Sequence, residues 1–246
     1  MRRTTVTVVA GIASLAALPG ASALPGANGR SAAQENGVRA SSVPPSAPRA
    51  ILVATPRRGE RIVLRNRPAG RALAVLGRRT EFGSPVKLGV ALVRGNWVAV
   101  VSEALPNGEV GWVPRARLSV ARIDWSIHVS LRRHLLEVRR DGLLVRRIRV
   151  AVGAPSTPTP LGRYTITDHV DARQYGGVYG CCILVLSGHQ PHPPTWFDPT
   201  RDWRLAIHGG SGIGSAVSAG CLHARDSDLR MLMAVTPLGT PVVVTA

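Results

Sequence analysis

Several things are scarce in this chain of 246 residues, and each scarcity excludes a class of protein. Cysteine occurs three times, too rarely for a disulfide scaffold. Aromatic residues make up 4% and are not interleaved with the basic runs Arg139-Arg140 and Arg146-Arg147, so the stacking platform of a nucleic-acid binder is missing. Acidic residues number 14 against 31 basic ones, and Lys87 is the single lysine. A membrane-spanning helix needs about 20 apolar residues; Val6 to Leu18 falls short, and no other stretch qualifies.

What remains is a 45% hydrophobic chain, enough for one large packed domain or two small ones, punctuated by 26 Gly and 19 Pro. The net charge of +17 favours an anionic neighbour. The first residues suggest which one. Arg2 and Arg3 precede the apolar run, and Ala21-Ser22-Ala23 offers a small-x-small cleavage site, so residues 1–23 read as a secretory signal. The mature chain is expected outside the cell, in the wall, a periplasm-like space or the medium. No cysteine near the cleavage point suggests a lipid anchor, and membrane attachment is expected only if the signal stays uncleaved. In that compartment the abundant anions are wall polymers and lipid headgroups, and nucleic acid is not an expected partner.

Residues 24–49, rich in Pro, Gly, Ser and Ala, read as a flexible linker. Over residues 50–119 the pattern becomes short β runs, IVLRNRP, RALAVL, PVKLGVALV, NWVAVVSEA and EVGWVPRARL, separated by Gly and Asn turns. This spacing predicts a small β-barrel, with Trp97 and Trp112 as packing residues or as the lining of a groove. Residues 123–246 form a second β-rich unit. WSIHVSL alternates strictly, and Asp141-Gly142 between two apolar runs predicts a two-residue hairpin turn. One helix is expected, from about Asp226 to Val235, with Asp226 as its N-cap and Leu229, Leu232 and Met233 on one face. The fold class is therefore mainly β, a small barrel followed by a β-rich domain with one or two short helices.

The chemistry concentrates in LAIHGGSGIGSAVSAGCLHA, residues 205–224. A strand ends at His208, and a Gly/Ser-rich loop leads to Ser218-Ala219-Gly220-Cys221. A thiol becomes a useful nucleophile near neutral pH when an imidazole stands beside it. Glycine before the thiol lets backbone N–H groups approach an incoming carbonyl and stabilise an oxyanion. Cys181-Cys182 has no metal-ligand spacing; the pair reads as two strand-packing thiols, or as a source of a disulfide partner for Cys221.

Residues 205–224 resemble the catalytic signature of the L,D-transpeptidases, in which I-H-G is followed by S-x-G-C and an apolar residue. Here these are Ile207-His208-Gly209 and Ser218-Ala219-Gly220-Cys221-Leu222. GAPSTPTPLGRYTI, LSGH and PLGTPVVV resemble flanking elements of the same family, so the likeness covers about half the chain. VLRNRPAG, GNWVAV and NGEVGWVP resemble a bacterial Src-homology-3-like domain. The resemblance implies that Cys221 is the nucleophile and His208 its general base, oriented by the carbonyl of Gly209. It implies an oxyanion hole at Gly220 and Cys221, with Ser218, His223 and His189 on the substrate.

The implied reaction is transfer between peptidoglycan stem peptides. Cys221 opens a tetrapeptide, releases D-Ala and forms a thioester, which a second stem's amine resolves into a 3→3 cross-link. Neither cofactor nor metal is implied, and carbapenems are expected to acylate Cys221. The alternatives are an L,D-carboxypeptidase of the same chemistry, with water as acceptor, or a catalytically weak wall-binding protein. Ala219 stands where the family commonly has His, and His223 where it has Arg or Asn. Arg grips a carboxylate with two bonds and His does not, so donor recognition is expected to differ.

Overall fold

The computed structural model describes residues 50–57, 60–175, 177–195 and 203–246; the expected signal and linker lie outside these described residues. The fold is mainly β, as the short alternating runs predict, with one α-helix among the described residues.

Seven strands build an N-terminal sheet: β1 (Ile51–Pro56), β2 (Ile62–Arg65), β3 (Ala72–Leu76), β4 (Leu88–Arg94), β5 (Trp97–Val101), β6 (Gly111–Pro114) and β7 (Leu118–Ile123). Their order is β3-β2-β6-β5-β4-β1-β7, antiparallel at each pairing. Side chains alternate between faces along a strand, so Ile62 and Leu64 of β2 and Val98 and Val100 of β5 enter one core with Leu88 and Val113. The runs read from the sequence omit β1, which pairs along its whole length with β7, from Ile51 opposite Ile123 to Pro56 opposite Leu118. This pairing carries the first sheet to Ile123.

The second unit contains β8 (Trp125–Ser130), β9 (Leu135–Arg140), β10 (Leu143–Arg149), β11 (Val152–Gly153), β12 (Gly162–Asp171) and β13 (Cys182–His189). It continues through β14 (Arg204–His208), β15 (Ala216–Ser218), β16 (Leu222–His223), helix α1 (Asp226–Val235) and β17 (Pro241–Thr245). Eight of these strands form a sheet in the order β10-β9-β8-β17-β12-β13-β14-β16, and β11 pairs with β15 apart from it. The β9–β10 turn has φ +50° at Asp141 and +80° at Gly142, the left-handed pair that a two-residue hairpin uses. Helix α1 covers one face of the sheet with Leu229 and Leu232 buried, while Met233 packs more openly at the edge. Its N-cap is Arg225, not Asp226. Asp226 is the first helical residue, and its carboxylate instead accepts the Cys181 N–H at 3.1 Å.

Alternation on β13 and β14 gives the sheet two different faces. Leu184, Leu186, Leu205 and Ile207 join the large core, whereas Ile183, Val185 and Ala206 form a small apolar cluster on the other side, with Cys221 against it. The N-terminal sheet is tied to this second face. Asn107 accepts the His189 N–H at 2.9 Å and donates to the His189 carbonyl at 2.7 Å. Arg204 pairs with Glu81 at 2.7 Å, and the Thr80 hydroxyl donates to the buried Asp168 carboxylate.

Cys181 and Cys182 are joined in a disulfide, and Cys221 is free. This corrects the reading of two packing thiols and removes the cross-link to Cys221. In an extended strand neighbouring side chains point to opposite faces, but Cys181 stands just before β13 begins and escapes that alternation.

Candidate active site

Strand β14 reads Arg204-Leu-Ala-Ile-His208. With Leu205 and Ile207 turned to the core, Arg204, Ala206 and His208 must share the opposite face, and all three line a cavity of about 310 Å3. Cys221 opens into the same cavity, whose apolar wall includes Val170, Ile183 and Val185. Parallel pairing of β16 with β14, Ile207 opposite Leu222 and His208 opposite His223, brings the residue before Leu222 alongside the end of β14. A loop between two short adjacent strands thus places a thiol and an imidazole in one pocket.

The His208 ring is buried, at 7% exposure, and its Nδ1 lies 2.6 Å from the Gly209 carbonyl oxygen. That geometry puts the ring proton on Nδ1, donating to the carbonyl, and leaves Nε2 as a lone-pair acceptor. Tyr179 stands edge-on to the ring at 4.8 Å between centroids, and His223 lies at the same distance on a tilted plane. Burial pushes His208 down to about 4; the Gly209 hydrogen bond opposes this and the charge of His223 adds to it. Gly209 needs to be glycine. Its N–H donates to Tyr179 at 2.8 Å, and a Cβ would sit 2.8 Å from both Gly180 N and Tyr179 O.

Cys221 keeps part of its surface open to the cavity, but protein atoms crowd its sulfur. Burial pushes the thiol up to about 11, although a hydrogen bond from the Ala206 backbone favours the thiolate. The thiol sits 3.9 Å from the Arg204 carbonyl oxygen, a long S–H···O contact. At rest, both partners of the pair are neutral at pH 7.

The loop before Cys221 is held by side chains that sequence reading does not single out. Three successive carbonyls each accept a hydrogen bond: Ser218 from Thr157 Oγ1 at 2.9 Å, Ala219 from Gln190 Nε2 at 2.9 Å, and Gly220 from Thr159 Oγ1 at 2.8 Å. All three donors are buried. Gly220 has φ +118°, and a Cβ there would run into Gln190 Nε2, so glycine is required twice over. Thr157 and Thr159 come from the Pro/Thr loop after β11 and Gln190 directly follows β13, so no local spacing announces the cradle.

The remaining site expectations fall in different places. Ser218 is buried, and its hydroxyl is used within the loop, donating to the Cys221 carbonyl at 2.5 Å and accepting the Gly220 N–H at 3.1 Å. With its N–H turned to Ser218, Gly220 differs from Cys221, whose N–H donates to nothing among the described residues. His223 flanks the His208 ring and bonds through Nδ1 to the Ser211 carbonyl at 2.9 Å. His189 is gripped through its backbone by Asn107. Neither histidine lines the 310 Å3 cavity.

Comparison with known proteins gives the family. The YkuD family model, described as an L,D-transpeptidase catalytic domain, matches residues 124–244. The YkuD protein of Bacillus licheniformis is 32% identical over 126 residues, covering 50% of this chain and 67% of that protein. The YkuD protein of Bacillus subtilis is 29% identical over 125 residues, covering 50% of this chain and 66% of that one. Among solved structures, an L,D-transpeptidase from Mycobacterium smegmatis is 16% identical, with 65% of this chain and 82% of that one covered and a TM-score of 0.40. The chain belongs to the YkuD family of L,D-transpeptidase catalytic domains and is an enzyme of that class.

Proposed function

We propose that this enzyme is exported and acts on peptidoglycan stem tetrapeptides through a thioester on Cys221. The observation that carries this reading is the shared cavity, in which Cys221 faces the same space as a His208 whose Nδ1 proton is committed to Gly209. His208 Nε2 takes the thiol proton as Sγ bonds to the carbonyl carbon of the third stem residue. The Cys221 N–H faces the developing oxyanion. Collapse breaks the C–N bond, and the imidazolium returns its proton to the departing D-Ala amine. A second stem's amine then attacks the thioester and gives its proton to His208; the C–S bond breaks, and the thiolate is reprotonated. The product is a 3→3 cross-link. Within the same reading, residues 50–119 are a Src-homology-3-like barrel and the basic exterior meets anionic wall polymers.

The test is intact-mass measurement after incubation with a carbapenem, a mimic of the acyl donor. A single adduct on the wild type, absent from Cys221→Ala, is the expected result. No adduct on the reduced wild type overturns the reading in favour of a wall-binding protein. Tetrapeptide turnover then separates the two enzymatic outcomes, because trimmed tripeptide without dimer identifies water as the acceptor.

A further inference from the structure

One wall of the catalytic cavity does not come from the catalytic domain. Glu81 and Phe82 belong to a turn of the N-terminal sheet, yet they line the same space as Cys221 and His208. We propose that this turn forms a subsite selecting a methylene-borne ammonium group, the side-chain amine of a diamino-acid residue in a stem peptide. The proposal rests on the transpeptidase reading for its substrate class.

The turn is a built wall. The Thr80 N–H donates to Ser84 at 2.9 Å, the Gly83 N–H to Thr80 at 3.1 Å, and the Ser84 N–H to the Thr80 hydroxyl at 3.1 Å. Thr80 is anchored to the fully buried Asp168 of β12, and Glu81 to Arg204 of β14.

Charge selects the ligand. The Arg204 side chain is only 6% exposed, and its donors go to the Leu186 carbonyl, Thr167 Oγ1 and Glu81 Oε1, so it is closed to a ligand anion. The Glu81 side chain is 51% exposed although one oxygen is paired. A carboxylate offers about four lone-pair sites, so it accepts an incoming ammonium without releasing Arg204. Among the described residues Glu81 is the only carboxylate lining the cavity. Beside it, Phe82 at 41% exposure, with Tyr175 and Tyr179, supplies an apolar surface for the methylenes that carry the amine.

Such an amine has two sources, the donor stem itself or the acceptor stem, and two measurements separate them. In the first, the full-length Cys221→Ala protein, which cannot react, is titrated with a tetrapeptide carrying a free side-chain amine and with the same peptide acetylated there. In the second, the acyl-enzyme is partitioned between water and two free-amine acceptors, the stem peptide and a small primary amine without a stem. Glu81→Gln is expected to lower the preference for the side-chain amine, over the acetylated peptide in binding or over the small amine in partitioning, about three- to fivefold, the scale of a partly exposed ion pair, in one measurement or the other. Glu81→Asp, which keeps the charge, restores it. Gln still accepts a bond from Arg204, and the acetylated peptide reports any general damage. An equal loss for both ligands of a measurement, or an unchanged preference in both measurements, overturns the subsite. Amine-selective binding without D-Ala release from the intact enzyme instead overturns the transpeptidase reading and leaves the subsite standing.

Discussion

His208 and Cys221 carry opposite consequences of the same burial. Desolvation disfavours whichever form is charged, so the imidazole falls to about 4 and the thiol rises to about 11. The resting pair is therefore thiol and neutral imidazole, and on the proposed mechanism the proton moves only as the acyl donor arrives. Because the base form of His208 persists far below its ordinary 6.5, the acid limb of carbapenem acylation is expected near pH 4. His223→Gln removes a neighbouring charge that lowers His208, so it should move that limb upward. A wild-type limb at or above 6.5, from second-order acylation rates across pH, defeats this assignment. The linkage has a definite sign. An unfolded His208 takes its proton below 6.5 while the folded one refuses it down to about 4, so its contribution to stability declines as pH falls through that window.

At the scale of elements, the loop Ser218–Gly220 depends on donors that arrive from elsewhere. The Thr159 hydroxyl donates to the Gly220 carbonyl and accepts the Gly153 N–H at 2.9 Å, joining the Pro/Thr loop to the nucleophile loop. Thr159→Val keeps the shape and strands both groups, and leaving a buried polar group unpaired costs about 1–3 kcal/mol. A stability loss of that order in denaturant titration is expected, together with acylation slowed by about tenfold, since 1.4 kcal/mol corresponds to tenfold. Thr159→Ser should recover both, whereas acylation as fast in Thr159→Val as in the wild type would mean the cradle does not position the loop. The cysteine, the histidine and the hairpin glycine were legible in the sequence because their signals are local: strand alternation, a positive-φ turn pair, a signature within one stretch. Thr157, Thr159 and Gln190 were not, because their partners lie 29 to 61 residues away and only the folded sheet unites them. The helix cap was misread for a related reason. Asp226 has the composition of a cap, but the backbone of Cys181, 45 residues earlier, claims its carboxylate.

The chain as a whole is strongly basic, at +17. Part of it is neutralised locally: Arg139 and Arg147 both pair with Glu137, and Arg146 with Asp228. The arginine ends of these pairs stay open to solvent, which screens the attraction, so the arginines are better understood by the field they leave outside. With 31 basic and 14 acidic residues, that field is positive at pH 7. A polymer of like-spaced negative charges is held by many weak contacts at once, each screened over about 10 Å at 0.1 M salt and about 3 Å at 1 M. Retention of the purified protein on isolated walls should therefore fall steeply with added salt, as read by co-sedimentation. The same series with walls stripped of their anionic polymers should show little retention at any salt. Retention that survives both treatments would shift the attachment from the arginines to direct contacts between the N-terminal sheet and glycan. The cavity wall that Glu81 and Phe82 provide would then belong to a unit that also grips the substrate's own polymer.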